Sequence, residues 1–211
     1  MKNIKDEIQH LIFSDGSISE ADHLKKAQGF LRRYAETSFD AKKQQRIKSE
    51  EALALISFSE RENLFYHKDI SEDFFIGAGA EQRVYQYDES NVIKTNGSIF
   101  YEFWLDYFNS LIIHNYFFPA TKYSFLGFKI IDNDLHAIVK QEFIAATEPT
   151  NLSSVKEFLT YNGFINTRNN DYINKSLGII FEDLHDENVL CNKGILFFID
   201  TVFYLTKDFY N

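Results

Sequence analysis

The chain has 211 residues, 45% hydrophobic and 25% charged, with a formal net charge of -9. This length can bury a sizeable core as one domain or two small ones, and the composition is that of a soluble globular protein. The acidic balance disfavours broad binding to nucleic acid or anionic membranes, because no basic surplus is present to release counterions.

The start, "MKNIKDEIQHLIF", mixes charges among its apolar residues and lacks the apolar core of a signal peptide. No stretch approaches the roughly 20 apolar residues that span a bilayer. The one cysteine, Cys191, has no partner for an internal disulfide and lies in a run that reads as buried. A reduced, cytoplasmic protein is the simplest expectation.

Residues 1–68 read as helices. Ile8, Leu11 and Ile12 share one face of the first, which "SDGS" ends. Ser17 and Glu20 have capping-box spacing before a stripe of Leu24, Ala27, Leu31 and Tyr34. A third helical run, "AKKQQRIKSEEALALISF", has a basic front half that reads as a solvated face.

From about residue 73 the texture changes to short β-prone runs: "FFIGAG", "RVYQY" and "NVIKT", the last two separated by a turn at "YDESN". "IFYEFWLDYFNSLIIHNYFF" is long enough for a buried helix. "YSFLGFKII" and "HAIVKQEFI" are strands joined by the turn "DNDL", and "SSVKEFLTYNGF" is a short helix before a β-rich end. Helices followed by strands in this order predict an α+β fold rather than a doubly wound parallel sheet.

Three motifs carry chemistry. In "IGAGAEQRVY", Gly77 and Gly79 fit either an ordinary turn or a glycine-rich hairpin over phosphates. In "NVIKT", Val92 and Lys94 share a face; Lys94 points either to solvent or, as a lone cation, at an anion in a pocket. In "LGIIFEDLHDENVLCNKGILFFID", Asp183 and Asn188 stand five apart in a loop, and the turn "CNKG" would fold Asp200 back beside Asn188. A carboxylate, a carboxamide and a second carboxylate would then offer hard oxygen ligands, suited to magnesium rather than zinc. A polar loop followed by a strand-terminal aspartate is the bland alternative, and it accounts for the set less well.

"FEDLHDENVLCNKGILFFID" resembles the catalytic loop and metal-binding strand of the protein-kinase-like fold, closest to the "HGDLHxxN" form of aminoglycoside and choline-type phosphotransferases. Together with "IGAGAEQRVY" and "NVIK", it resembles the small kinase domain of polyvalent proteins from phages and conjugative elements, over about residues 70–203. The resemblance implies Asp183 as catalytic base, Asn188 and Asp200 as magnesium ligands, and Lys94 on the α/β-phosphates with Glu102, on the following helix, as its partner. It implies Gly77 and Gly79 over the nucleotide, Val84 on the adenine, and Gln141, Glu142 and Phe143 at the adenine-binding hinge.

Departures from the pattern stand beside these matches. Gln82 replaces the third glycine of the loop, Phe181 the first histidine of the catalytic loop, and "TVF" the "FG" after Asp200, while His185 keeps the second histidine. Lys94 and Glu102 are unusually close in sequence. Eleven residues follow Asp200, too few for a full kinase C-lobe.

The expectation is a minimal kinase-like fold: a helical extension at 1–68, a β-rich N-lobe at 69–145 and a truncated C-lobe at 146–211. It binds ATP and magnesium and transfers the γ-phosphoryl group to a hydroxyl of a protein or small molecule that the sequence does not name. A nucleotide-binding pseudokinase acting as an interaction module is the alternative, and an unrelated α+β fold with these residues scattered is a third.

Overall fold

A computed structural model describes residues 3–14, 22–37 and 48–211. Within them the protein is α+β, with five α-helices and wholly antiparallel sheets of five, four and two strands. Two compact units are built from interleaved segments. One comprises Met1–Ser14, Asn109–Lys122 and Ile144–Asn211; the other comprises Asp15–Phe108 and Tyr123–Phe143. Among the described residues no helix is long and apolar enough to cross a membrane.

Helix α1 (Ile4–Phe13) belongs to the first of these units, while α2 (His23–Thr37) and α3 (Lys48–Glu62) belong to the second. The apolar stripe expected of α2 is buried at Leu24, Ala27 and Leu31, with Tyr34 half-buried. Phe30 of α2 stacks on Phe58 of α3 at 4.1 Å, and Lys26 pairs with Glu62 at 2.7 Å. The proposed capping box at Ser17 and Glu20 and the basic run before Lys48 lie outside the described residues.

The second unit is built on strands β1 (Phe75–Ala78), β2 (Gln82–Gln86), β3 (Asn91–Asn96), β4 (Ser124–Ile131) and β5 (Asp134–Glu142), in the order β1-β2-β3-β5-β4. The β-branched run of β3 explains its central place, where both faces are covered. The expected turn at "DNDL" is a two-residue hairpin: Asp132 and Asn133 take φ of 52° and 73° between the paired residues Ile131 and Asp134. Both are residue types that tolerate the left-handed region. Beneath the sheet, Phe108 and Phe128 each meet Phe125 edge to face and each other at a tilt, with centroids 4.9–5.7 Å apart.

Helix α4 (Trp104–Phe117) is shorter than the apolar run "IFYEFWLDYFNSLIIHNYFF" suggests. Its start is set by two acids. Asp106 Oδ2 accepts from the Phe103 amide at 3.2 Å, and the buried Glu51 of α3 accepts from the Trp104 amide at 2.7 Å. Lys48 Nζ donates to the carbonyls of Ser98 and Tyr101 just before. Burial pushes the Lys48 pKa down, against the pull of the nearby acids Glu81, Glu51 and Asp106.

The first unit carries α5 (Leu152–Tyr161), capped by Asn151, whose Oδ1 accepts from the Ser153 amide at 2.9 Å. Its four-stranded sheet is formed by β6 (Ile165–Arg168), β7 (Asp171–Asn174), β8 (Ile179–Glu182) and β11 (Val202–Leu205), in the order β11-β8-β7-β6. A separate hairpin pairs β9 (Val189–Asn192) with β10 (Ile195–Phe198). Strands β6 and β7 were not expected from the sequence. Phe181 stacks on Phe203 at 4.1 Å and Phe118 on Phe198 at 4.3 Å.

Helix α1 lies on the last residues of the chain within this unit. Ile8 and Ile12 are buried, whereas Leu11, expected on the same face, is 38% exposed. Lys5 Nζ donates to the carbonyls of Asp208 (2.6 Å) and Asn211 (2.9 Å), and Gln9 Nε2 to that of Phe209. Tyr116 of α4 donates to Glu7 at 2.6 Å, which raises the tyrosine pKa to about 12. The same C-terminal segment presses on Gly178, at φ 68°, where a Cβ would come within 2.2 Å of the Phe209 nitrogen.

Candidate functional site

Strand β8 ends at Glu182, and the chain enters the loop from Asp183 to Asn188 with Asp183 at φ 65°. Aspartate is one of the few residue types that accept this conformation at modest cost. The loop is tied to the β6–β7 turn: Asp183 donates its amide to Asp171 Oδ1 (3.2 Å), and Leu184 donates to the Asn170 carbonyl (3.2 Å). Asp183 is therefore held by its backbone while its carboxylate stays exposed.

Two side chains hold that carboxylate. Asn188, 8% exposed, donates Nδ2 to both the carbonyl (2.8 Å) and Oδ2 (2.9 Å) of Asp183. His185 Nδ1 accepts from the Glu187 amide at 3.3 Å, so in the neutral ring the proton sits on Nε2, 3.2 Å from Asp183 Oδ1. The 3.1 Å approach of Asn188 Nδ2 to the same Nε2 is a contact between two donors that share one carboxylate. With both Nδ2 hydrogens directed at Asp183, Asn188 keeps Oδ1 as an acceptor for something else.

The turn between β9 and β10 is the one expected at "CNKG". Lys193 and Gly194 take φ of 49° and 75°, and Asn192 pairs with Ile195. The fold-back continues past β10, where the amides of Ile199 (2.9 Å) and Asp200 (3.4 Å) both point at the Asn188 carbonyl. Asp183, Asn188 and Asp200 are thus brought together in one unit, as the loop and hairpin reading expects.

The segment around Asp200 is fixed from α4 by residues that sequence reasoning missed. His114, fully buried, directs Nε2 at the Thr121 carbonyl and Nδ1 at the Thr201 hydroxyl, each at 2.8 Å. Thr121 donates to the Phe198 carbonyl at 2.6 Å, and Ser110 accepts from the Phe203 amide at 3.0 Å. No local signal marks His114 for this task, because its partner Thr201 lies 87 residues away.

In the other unit, Gly77, Val84, Lys94 and Val139 are cross-strand partners in one row. Lys94 is 3% exposed, with Nζ 5.4 Å from the centre of the Tyr123 ring. An ammonium group removed from water so completely marks this as an interior-facing lysine rather than a solvated one. Gly79 lies in the tight turn after β1, its amide on the Gln82 carbonyl. A Cβ at Gly77 would meet nothing within 4 Å, and one at Gly79 only Gln82 Cγ at 4.0 Å. Neither glycine is required by packing, and both are open to close approach from outside.

Gln141 is buried opposite Val92, Glu142 is exposed, and Phe143 is exposed with its amide on the Ser90 carbonyl. Glu102 requires a correction. It was expected on the helix after the lysine strand, but it is exposed in the bend that precedes α4, because the capping acids delay the helix to Trp104.

Among the described residues no group of three His, Cys, Asp or Glu could hold a metal ion unaided. Asn188 and Asp200 offer oxygens only, and that set suits magnesium when phosphate oxygens complete the shell.

The family described as serine/threonine/tyrosine kinase found in polyvalent proteins matches residues 48–207. The chain belongs to this family. The match takes in α3 and runs to the C-terminal turn, so it overlaps the end of the helical extension expected at 1–68. No curated protein and no solved structure matches the chain.

Proposed function

We propose that this kinase-family domain is an ATP- and magnesium-dependent phosphotransferase acting on a hydroxyl acceptor. The observation that carries the reading is Asn188, whose amide nitrogen locks Asp183 by carbonyl and carboxylate together and so leaves its oxygen as an acceptor. A loop built only to turn the chain has no need of that arrangement.

Asp183 is the base. Its exposed carboxylate, oriented by Asn188 Nδ2 and His185 Nε2, accepts the proton of the acceptor hydroxyl. As it does so, the hydroxyl oxygen bonds to the γ-phosphorus and the bond to the ADP oxygen breaks. Asn188 Oδ1 and Asp200 would hold magnesium, which supplies neutralisation of phosphate charge. Lys94 serves the α/β-phosphates, Gly77 and Gly79 allow the backbone to approach them, and Val84 packs on the adenine. Gln141 to Phe143 form the hinge, although the Phe143 amide is already committed to Ser90. Glu102 as a partner of Lys94 is the assignment with least support, given its exposure.

The test compares wild type with Asp183→Asn and Asp200→Asn by magnesium-dependent ATP titration calorimetry and by radiolabel transfer. Asp183→Asn is expected to keep nucleotide affinity and lose transfer by about 10²–10⁴-fold. Asp200→Asn is expected to lose the magnesium-dependent part of the affinity. Transfer unchanged in Asp183→Asn overturns the assignment of the base. ATP binding without transfer in any of the proteins identifies a pseudokinase instead.

A further inference from the structure

Strand β1, which carries Gly77, lies at the edge of its sheet and buries little: Phe75, Ile76 and Ala78 are exposed. A bulge between Phe75 and Gly77 also interrupts its register with β2. Neither burial nor a regular ladder therefore fixes where this glycine hairpin stands. What ties it down is its tip, Ala80 and Glu81, between Gly79 and Gln82.

Glu81 directs both carboxylate oxygens at the segment that follows the lysine strand. Its Oε1 accepts from Asn96 Nδ2 at 2.9 Å, and its Oε2 accepts from the Phe100 amide at 3.3 Å. The Glu81 carbonyl accepts from the Gly97 amide at 3.5 Å as well. Hydrogen bonds to an ionised acceptor are the stronger kind, and here they converge from one short stretch of backbone and side chain.

The segment that receives this tether is itself held in a costly shape. Ser98 is fully buried at φ 58°, and its hydroxyl has no hydrogen-bond partner among the described residues. Asn96 Oδ1 accepts from the Ser98 amide at 2.6 Å, and Lys48 Nζ donates to the Ser98 carbonyl. Among the acids near Lys48, Glu81 acts most strongly on its charge. A left-handed serine with an orphaned hydroxyl persists only where its surroundings over-determine it, and such residues gather at functional sites. An ordinary hairpin tip needs no anchor of this kind.

We propose that Glu81 is the positioning residue of the glycine turn: it fixes the Gly77–Gly79 hairpin relative to the strand that bears Lys94, so that the cradle for the nucleotide phosphates stands ready before the nucleotide arrives. The inference rests on the phosphotransferase reading and adds to it how that part of the site is held. A tether of this kind raises affinity by keeping the binding-competent arrangement populated, without touching the ligand. Its effect is confined to ligands that carry phosphates, because the adenine contacts belong to other residues.

The experiment uses the full chain and measures two ligands, ATP with magnesium by calorimetry and adenosine by ligand-observed NMR. Glu81→Ala should keep its circular dichroism spectrum, bind ATP about tenfold more weakly and bind adenosine as wild type does. Glu81→Gln retains one acceptor oxygen and should fall between the two proteins; it carries the comparison if Glu81→Ala does not fold. Equal weakening of ATP and adenosine overturns the proposal, since a general loss of structure would do the same. Wild type that binds ATP, matched by a folded Glu81→Ala protein, overturns the role of Glu81 alone. Wild type that binds neither ligand overturns the phosphotransferase reading, and this role with it.

Discussion

Asp183 illustrates how much a single residue's spacing reveals. Its distance from Asn188 and the later Asp200 were readable because the loop and the β9–β10 turn are local. The groups that steady them, Asp171, Ser110, His114 and Thr201, were not readable, since each acts across a tertiary contact without sequence periodicity. Glu182, beside Asp183, shows the electrostatic consequence. Burial first, and then the Asp171 and Asp183 carboxylates, push its pKa above the usual carboxylate range, with Arg168 pulling the other way. The native state then holds this proton more tightly than the unfolded chain does. Stability is lost as pH rises from the ordinary carboxylate value through the raised folded value, and the penalty persists at neutrality. Glu182→Gln should therefore be more stable than wild type near neutral pH, with the advantage shrinking towards pH ~4. Urea midpoints at the two pH values check it; an equal shift at both would show that the charge is not the cause.

At the scale of elements, the sheet of the second unit was legible strand by strand because its runs are β-branched or aromatic and its turns carry Asp, Asn and Ser. Strands β6 and β7, "INTR" and "DYIN", were not. They are short, and their pairing follows from β8, on which β7 pairs and then β6 on β7, rather than from any pattern of their own. The start of α4 was misjudged for a related reason: Glu51, which caps it, stands 53 residues earlier. Gly178 is the sharpest constraint of this kind. In the turn before β8 the Gly178 carbonyl accepts from the Thr206 amide at 2.9 Å, and Gly178 has no room for a Cβ under Phe209. Gly178→Ala should destabilise the protein by about 1–3 kcal/mol and release the segment Lys207–Tyr210. Faster amide exchange confined to residues 206–211, with a lowered thermal midpoint, is the expected readout; an unchanged midpoint would mean that the segment shifts aside without cost.

Across the whole molecule, the chain passes from one unit to the other four times, at 14/15, 108/109, 122/123 and 143/144. Neither unit is a contiguous stretch, and the first takes residues from both ends of the sequence. A chain lacking residues 1–14 should lose the burial of Ile8 and Ile12, each contributing roughly 1.5–3 kcal/mol, and expose Phe209. Its thermal midpoint should fall, with exchange of residues 203–211 accelerated; equal midpoints would show that α1 is dispensable to the fold. The bond from Lys5 to Asp208 also has a meaning in time, since its partners stand 203 positions apart. At synthesis rates of ~5–20 residues per second, α1 waits roughly 10–40 s for the residues that cover it. A ten-residue helix is marginal in water by itself. Ile8 and Ile12 therefore wait for a cover made long after them, and the segment around Phe209 completes a core that α1 began.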